Sequence, residues 1–181
     1  MKSSILRLLQ GGFIAVAVLL ASSAIAQQSP AAKDSIVLGG KVVSVKYSAP
    51  SVRGRDIFGA TGLLSTNPNY PVWRAGANAA TALHTDLDLA IGGLRIPKGD
   101  YTLFVNLANT EHWELIINKQ TGQGGLTYDP AQDLGRVKMK MSKPGSPVEK
   151  LFYTLTIPDP KQVKMVLAWE NHAGEVSFSV R

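Results

Sequence analysis

Five stretches of this chain place apolar residues at every second position. Val43, Val45 and Tyr47 alternate with Ser44, Lys46 and Ser48, and Tyr101, Leu103, Val105 and Leu107 alternate with Thr102, Phe104 and Asn106. Val137, Met139 and Met141 do the same, as do Val163, Met165, Leu167 and Trp169, and then Val176, Phe178 and Val180. Side chains on an extended strand point alternately to its two faces, so each stretch predicts a strand with one face on a core and the other towards water. Helical periodicity is nearly absent. Turn signals fall between the runs: Gly92-Gly93 reads as a tight hairpin, and "PKGDY", "NKQTGQGG", "KPGSP", "PDPK" and "ENHAGE" follow. Many short strands punctuated this way predict an all-β fold, an antiparallel β-sandwich or jelly roll of about eight to nine strands.

The N-terminus carries a different signal. Lys2 and Arg7 precede the short apolar run "GGFIAVAVLLA", and Ala24-Ile25-Ala26 supplies the small-x-small pattern of a cleavage site. Residues 1–26 therefore read as a cleavable signal peptide, 27–35 as a flexible leader and 36–181 as a single β-sandwich domain. The expectation is export, to the periplasm or beyond. Removing 26 of 181 residues, with two of nineteen basic groups and none of thirteen acids, leaves 155 residues with a formal charge of +4. That mild charge has no Lys/Arg run behind it and points to no nucleic-acid partner. No later segment is long and apolar enough to span a membrane. With no cysteine in the chain, disulfides, thiolate nucleophiles and thiolate metal sites are excluded, and stability must come from apolar burial.

Residues 48–80 break the strand pattern. The segment is rich in Gly, Pro, Asn and Arg, and a connection of that length inside a compact domain is often functional. It holds "PSVRGRDIFG" and "VWRAGANAAT". Together these place Arg53, Arg55, Trp73, Arg74, Asn78 and Thr81 as a candidate ligand-binding set, with Tyr47 and Ser51 nearby. Guanidinium groups offer forked donors matched to carboxylate, sulfate or phosphate, and Trp73 offers a stacking wall for a sugar ring. The same arginines equally suit a second role, satisfying loop carbonyls or pairing with Asp56, Asp86 or Asp88. Both roles stand at this point.

Five segments in order, "YSAPSVRGRDIFG", "VWRAGANAAT", "IPKGDYTLF", "HWELIINK" and "LAWE", resemble the bacterial exported family catalogued as domain of unknown function 2911. The resemblance runs from about Lys41 to Arg181. It implies an exported β-rich domain and brings no established activity, cofactor or catalytic residue. Members commonly have Gly-Ala-Asn-Glu-Ala-Thr where this chain has Ala79 after Asn78.

Motifs for chemistry are sparse. His84, His112 and His172 show no metal-ligand spacing, although His84 and Asp86 share a strand face, and no metal site or cofactor is expected. There is no Gly-x-Ser-x-Gly elbow and no Ser-x-x-Lys. The reading adopted is an exported non-catalytic β-sandwich module that holds a small anionic or carbohydrate ligand, or an envelope partner, through residues 47–81. One alternative is a hydrolase or isomerase acting on a sugar or acidic substrate, with His84 or Asp86 as acid or base. The other is a structural or assembly protein of the cell envelope. Export predicts that the chain recovered from an expressing bacterium begins at Gln27, which intact-mass measurement checks; retention of Met1 to Ala26 would exclude cleavage.

Overall fold

A computed structural model describes residues 28–181. The expected signal peptide and Gln27 lie outside the described residues. Among the described residues thirteen strands form two antiparallel sheets. The first sheet contains β1 (Ala31–Leu38), β2 (Lys41–Ser48), β4 (Thr81–Thr85), β7 (Gly99–Asn106), β8 (Glu114–Asn118) and β9 (Asp133–Lys138), in that order, with the two-residue β3 (Val72–Trp73) beside β7. The second runs β11 (Val148–Asp159), β12 (Gln162–Glu170), β13 (His172–Val180), β5 (Leu89–Ile91) and β6 (Leu94–Ile96), with β10 (Lys140–Ser142) on β13. The strands beyond the expected eight or nine are mostly β3, β5, β6 and β10, each only two or three residues long. Runs that short show no alternation, so periodicity misses them.

The inward residues of both sheets meet in one apolar core. Val43, Val45, Leu83, Leu103, Val105 and Leu115 come from the first sheet; Leu151, Met165, Leu167, Val176 and Phe178 come from the second. The chain crosses between sheets at Met139, a single residue separating β9 from β10, whose N–H donates to the Trp113 carbonyl at 2.8 Å. The hairpin at Gly92-Gly93 is present between β5 and β6. Both glycines have positive φ, 55° and 87°, as a tight two-residue turn requires.

Two expectations change. From Ala31 onward the expected flexible leader is strand β1, paired along its whole length with β2, from Ala31 opposite Ser48 to Leu38 opposite Lys41. Ile36 and Leu38 pack on the core, and Asp34 Oδ2 accepts the Leu155 N–H of β11 at 2.6 Å, which ties this strand to the edge of the other sheet. Phe104, expected on a water-facing side, is 1 % exposed. Residues 119–132 fold over the outer face of the first sheet, and Tyr128 packs edge-on against Phe104 at 4.9 Å. Asn118 anchors this excursion: its Nδ2 donates to the Asp129 carbonyl and to Asp133 Oδ1, each at 2.9 Å, and its Oδ1 accepts the Gln120 N–H.

The irregular segment 48–80 is docked at both ends. Its start is bridged to β11 at Ser51 opposite Lys150, with Val52 N–H on the Glu149 carbonyl (2.8 Å) and Leu151 N–H on the Pro50 carbonyl (2.9 Å). Its middle drives Phe58 into an aromatic cluster, 5.0 Å from Trp113, 5.9 Å from Trp169 and 6.1 Å from Trp73 between ring centres. Trp73 stacks on Trp169 at 5.8 Å. Phe58→Ala leaves a hole under three tryptophans and is expected to cost about 3 kcal/mol. The check is a lower urea midpoint, with amide exchange accelerated first in residues 48–80. An unchanged midpoint would show that the segment is held by something else.

Candidate functional site

Arg74 owes its position to a rigid turn. Trp73 on β3 points inward, and its indole N–H donates to the Gly76 carbonyl at 3.0 Å. Ala75 is fully buried with a φ of 55°, in the left-handed region that an L-residue enters at about 1–2 kcal/mol. Its carbonyl accepts two hydroxyls, Thr81 Oγ1 at 3.0 Å and Tyr153 Oη at 2.8 Å. Hydrogen bonds of this kind contribute about 0.5–1.5 kcal/mol each, enough together to offset the strain. With Trp73 and Ala75 fixed on either side, Arg74 is carried out on the opposite face of the strand from Trp73.

It enters a cavity of about 280 Å³, lined with Pro50, Leu63, Leu64, Pro68, Leu126 and Trp169 among others. Burial lowers the guanidinium's pKa below its ordinary value. Among the described residues no carboxylate lies within ion-pair distance of it and no acceptor takes its Nε. Gly125 packs directly on this side chain. A Cβ there would collide with Arg74 Cδ and with the Asn78 carbonyl, so glycine is needed for the close approach. Gly125 shields Nε, while the two Nη groups, not buried and with no hydrogen bond, remain open. The indole Nε1 of Trp169 is likewise a buried donor without an acceptor among the described residues. The neighbourhood is rich in donors and poor in acceptors.

The other candidate residues go elsewhere. Arg55 clasps its own loop, with Nε on the Val52 carbonyl (3.0 Å) and Nη2 on the Ser51 carbonyl (2.7 Å). Arg53 has a φ of 52°, and its backbone N–H donates to Glu149 Oε1 at 3.0 Å. Neither lines the Arg74 cavity. Trp73 is 1 % exposed and offers no face to a ligand. Asn78, at φ 56°, ties the turn to the Ser29 carbonyl through Nδ2 at 3.2 Å. Thr81 is buried and holds Ala75. Two of the aspartates bind backbone: Asp86 accepts the Val42 N–H and Asp88 the Lys98 N–H. Of the six, Arg74 alone lines the cavity, while Trp73, Asn78 and Thr81 brace the turn that carries it.

A family of proteins described as "Protein of unknown function (DUF2911)" matches residues 29–178. The chain belongs to that family. No curated protein and no solved structure matches it. The match takes in all of β1 to β12 and most of β13, so the DUF2911 region includes the docked segment as well as the two sheets.

The histidines of this DUF2911 chain fall in two places. His84 stands on the outer face of β4, the side opposite Leu83, and both ring nitrogens meet carboxylates: Nδ1 to Asp100 Oδ1 at 2.8 Å and Nε2 to Asp86 Oδ1 at 3.3 Å. It does not line the Arg74 cavity, so the acid–base role with those arginines has no geometry behind it. His112 and His172, assigned to separate turns by sequence, line one open cavity of about 500 Å³. His172 stacks on Trp113 at 5.7 Å, and its Nδ1 lies 3.3 Å from Glu170 Oε2 without hydrogen-bond alignment. No sequence signal announces that pairing, because it depends on the turn at Glu170, which has a φ of 54°.

The hydrogen bond to Asp100, with Asp86 adding to it, raises the pKa of His84 above its ordinary value. A raised value in the folded state means a stabilising contribution fully present below the unfolded pKa of about 6.5 and lost as pH rises through the folded pKa. His84→Gln is therefore expected to lower the melting temperature at pH 5.5 and to leave it nearly unchanged at pH 9. Equal losses at both pH values would show that the imidazole contributes packing alone.

Proposed function

We propose that this chain is an exported binding module that takes a small anionic ligand at the Arg74 cavity. The observation that supports it is the half-buried guanidinium without a carboxylate partner. Taking a charge out of water is expensive unless an opposite charge or several acceptors replace the solvent, and a fold with no use for that charge would be as stable with an apolar side chain. Two neighbouring side chains are engaged within their own turn. Thr66 Oγ1 donates to the Leu63 carbonyl at 2.8 Å and Asn67 Oδ1 accepts the Asn69 N–H at 3.0 Å. No acid, base or nucleophile with an open partner lines this cavity, which supports binding over catalysis there. The N-terminal pattern of basic residues, apolar run and Ala24-Ile25-Ala26 supports the export part of this reading, to the periplasm or outside the cell.

Arg74→Met tests the reading because it keeps the length of the side chain and removes the charge. The melting temperature is expected to stay level or rise by a few degrees, while the thermal stabilisation that acetate and sulfate confer on the unaltered chain disappears. A drop of several degrees would make Arg74 a structural group, and an unaltered chain that no anion stabilises would remove the site.

A further inference from the structure

We infer that the anion is an aliphatic monocarboxylate, its head on Arg74 and its chain along Leu63, Leu64 and Leu126; the inference rests on the anionic-site reading above. Three observations carry it. The cavity provides one cation, and Arg74 has only its two Nη groups open. A fork of two donors matches the two oxygens of a carboxylate. A sulfate or phosphate has more charge and more acceptors than one guanidinium satisfies, and in an apolar surrounding the remainder is left unpaired.

The walls are the second observation. Beside Arg74 and the polar side chains of Thr66 and Asn67 they are formed by Pro50, Leu63, Leu64, Pro68 and Leu126, and the rim leaves large hydrophobic side chains in water: Leu126 is 58 % exposed and Leu63 39 %. These two come from segments far apart in sequence, joined across the cavity by Asn69 Nδ2 on the Leu126 carbonyl at 2.8 Å. An aliphatic chain lying between them removes that surface from water.

The third observation excludes a sugar. A sugar needs an exposed aromatic face and several open hydrogen-bonding groups. Trp169 shows 1 % of its surface, and Thr66 and Asn67 already serve their own turn. The volume of about 280 Å³ equals the liquid share of about nine waters, which limits the occupant to a small molecule.

Calorimetric titration of the mature chain with acetate, butanoate, hexanoate and octanoate reads the inference directly. Affinity is expected to rise about fourfold per added methylene, the increment for burying one CH2, and to level off once the cavity is full. Hexanol, lacking the charge, is expected to bind at least tenfold more weakly than hexanoate. Leu126→Ser, an exposed position that folding tolerates, is expected to flatten the rise to about twofold per methylene. If sulfate or phosphate binds as tightly as hexanoate, or affinity is flat with chain length, the aliphatic inference fails while the anion site stands. If acetate, hexanoate, sulfate and phosphate all fail to bind, the anion site itself is gone. Tighter binding of a short peptide ending in leucine than of hexanoate would overturn the small-acid inference in favour of a protein C-terminus.

Discussion

Phe58 is inserted among Trp73, Trp113 and Trp169, and the ring of His172 lies 4.6 Å from it. Each of these side chains comes from a different part of the chain: the irregular segment, β3, the entry to β8, the end of β12 and the start of β13. Aromatic pairs in offset or edge-on contact add to the large area that each ring buries. The cluster is thus where the two sheets and the long connection become one body. It also separates the two cavities that hold candidate chemistry. Trp169 lines the Arg74 cavity, while His172, stacked on Trp113, lines the other.

Around this cluster the long segment is held by many weak constraints in place of regular structure. Arg53, Ala75 and Asn78 all occupy the left-handed region, with φ between 52° and 56°. Such conformations persist only where the surroundings over-determine them. Here the surroundings are identifiable: Glu149 beside Arg53, the hydroxyls of Thr81 and Tyr153 on Ala75, and the Ser29 carbonyl on Asn78. The result is a rigid frame that carries Arg74 into the cavity. Arg55, Asn78 and Thr81 are bonded within the frame, while the Nη groups of Arg74 take no acceptor among the described residues.

The excursion over β7 and β8 completes the site from the other side. Asn118 and Tyr128 hold it down, the phenol of Tyr128 pushed up to about 12 by burial and by its hydrogen bond to Asp133. It brings Gly125 onto Arg74 and Leu126 to the cavity rim. The same excursion covers Phe104 on a sheet face that alternation assigns to water. A second apolar layer and one wall of the candidate site therefore have a single cause.

The amino-acid sequence by itself determined the strands and their inward faces, because strand periodicity is a local property: Val43, Leu103, Met165 and Phe178 sit in the core that alternation assigns them. It also marked residues 48–80 as the place to look and named Arg74 among the candidates. What it left open was which arginine remains available. Arg55 folds back on carbonyls three and four residues away, an outcome two residues cannot reveal until the loop is placed on β11. Arg74 stays open because no distant carboxylate reaches it, while a distant glycine covers one of its nitrogens. Pairing of donors and acceptors is settled by contacts between remote parts of the chain, and only the tertiary structure decided them.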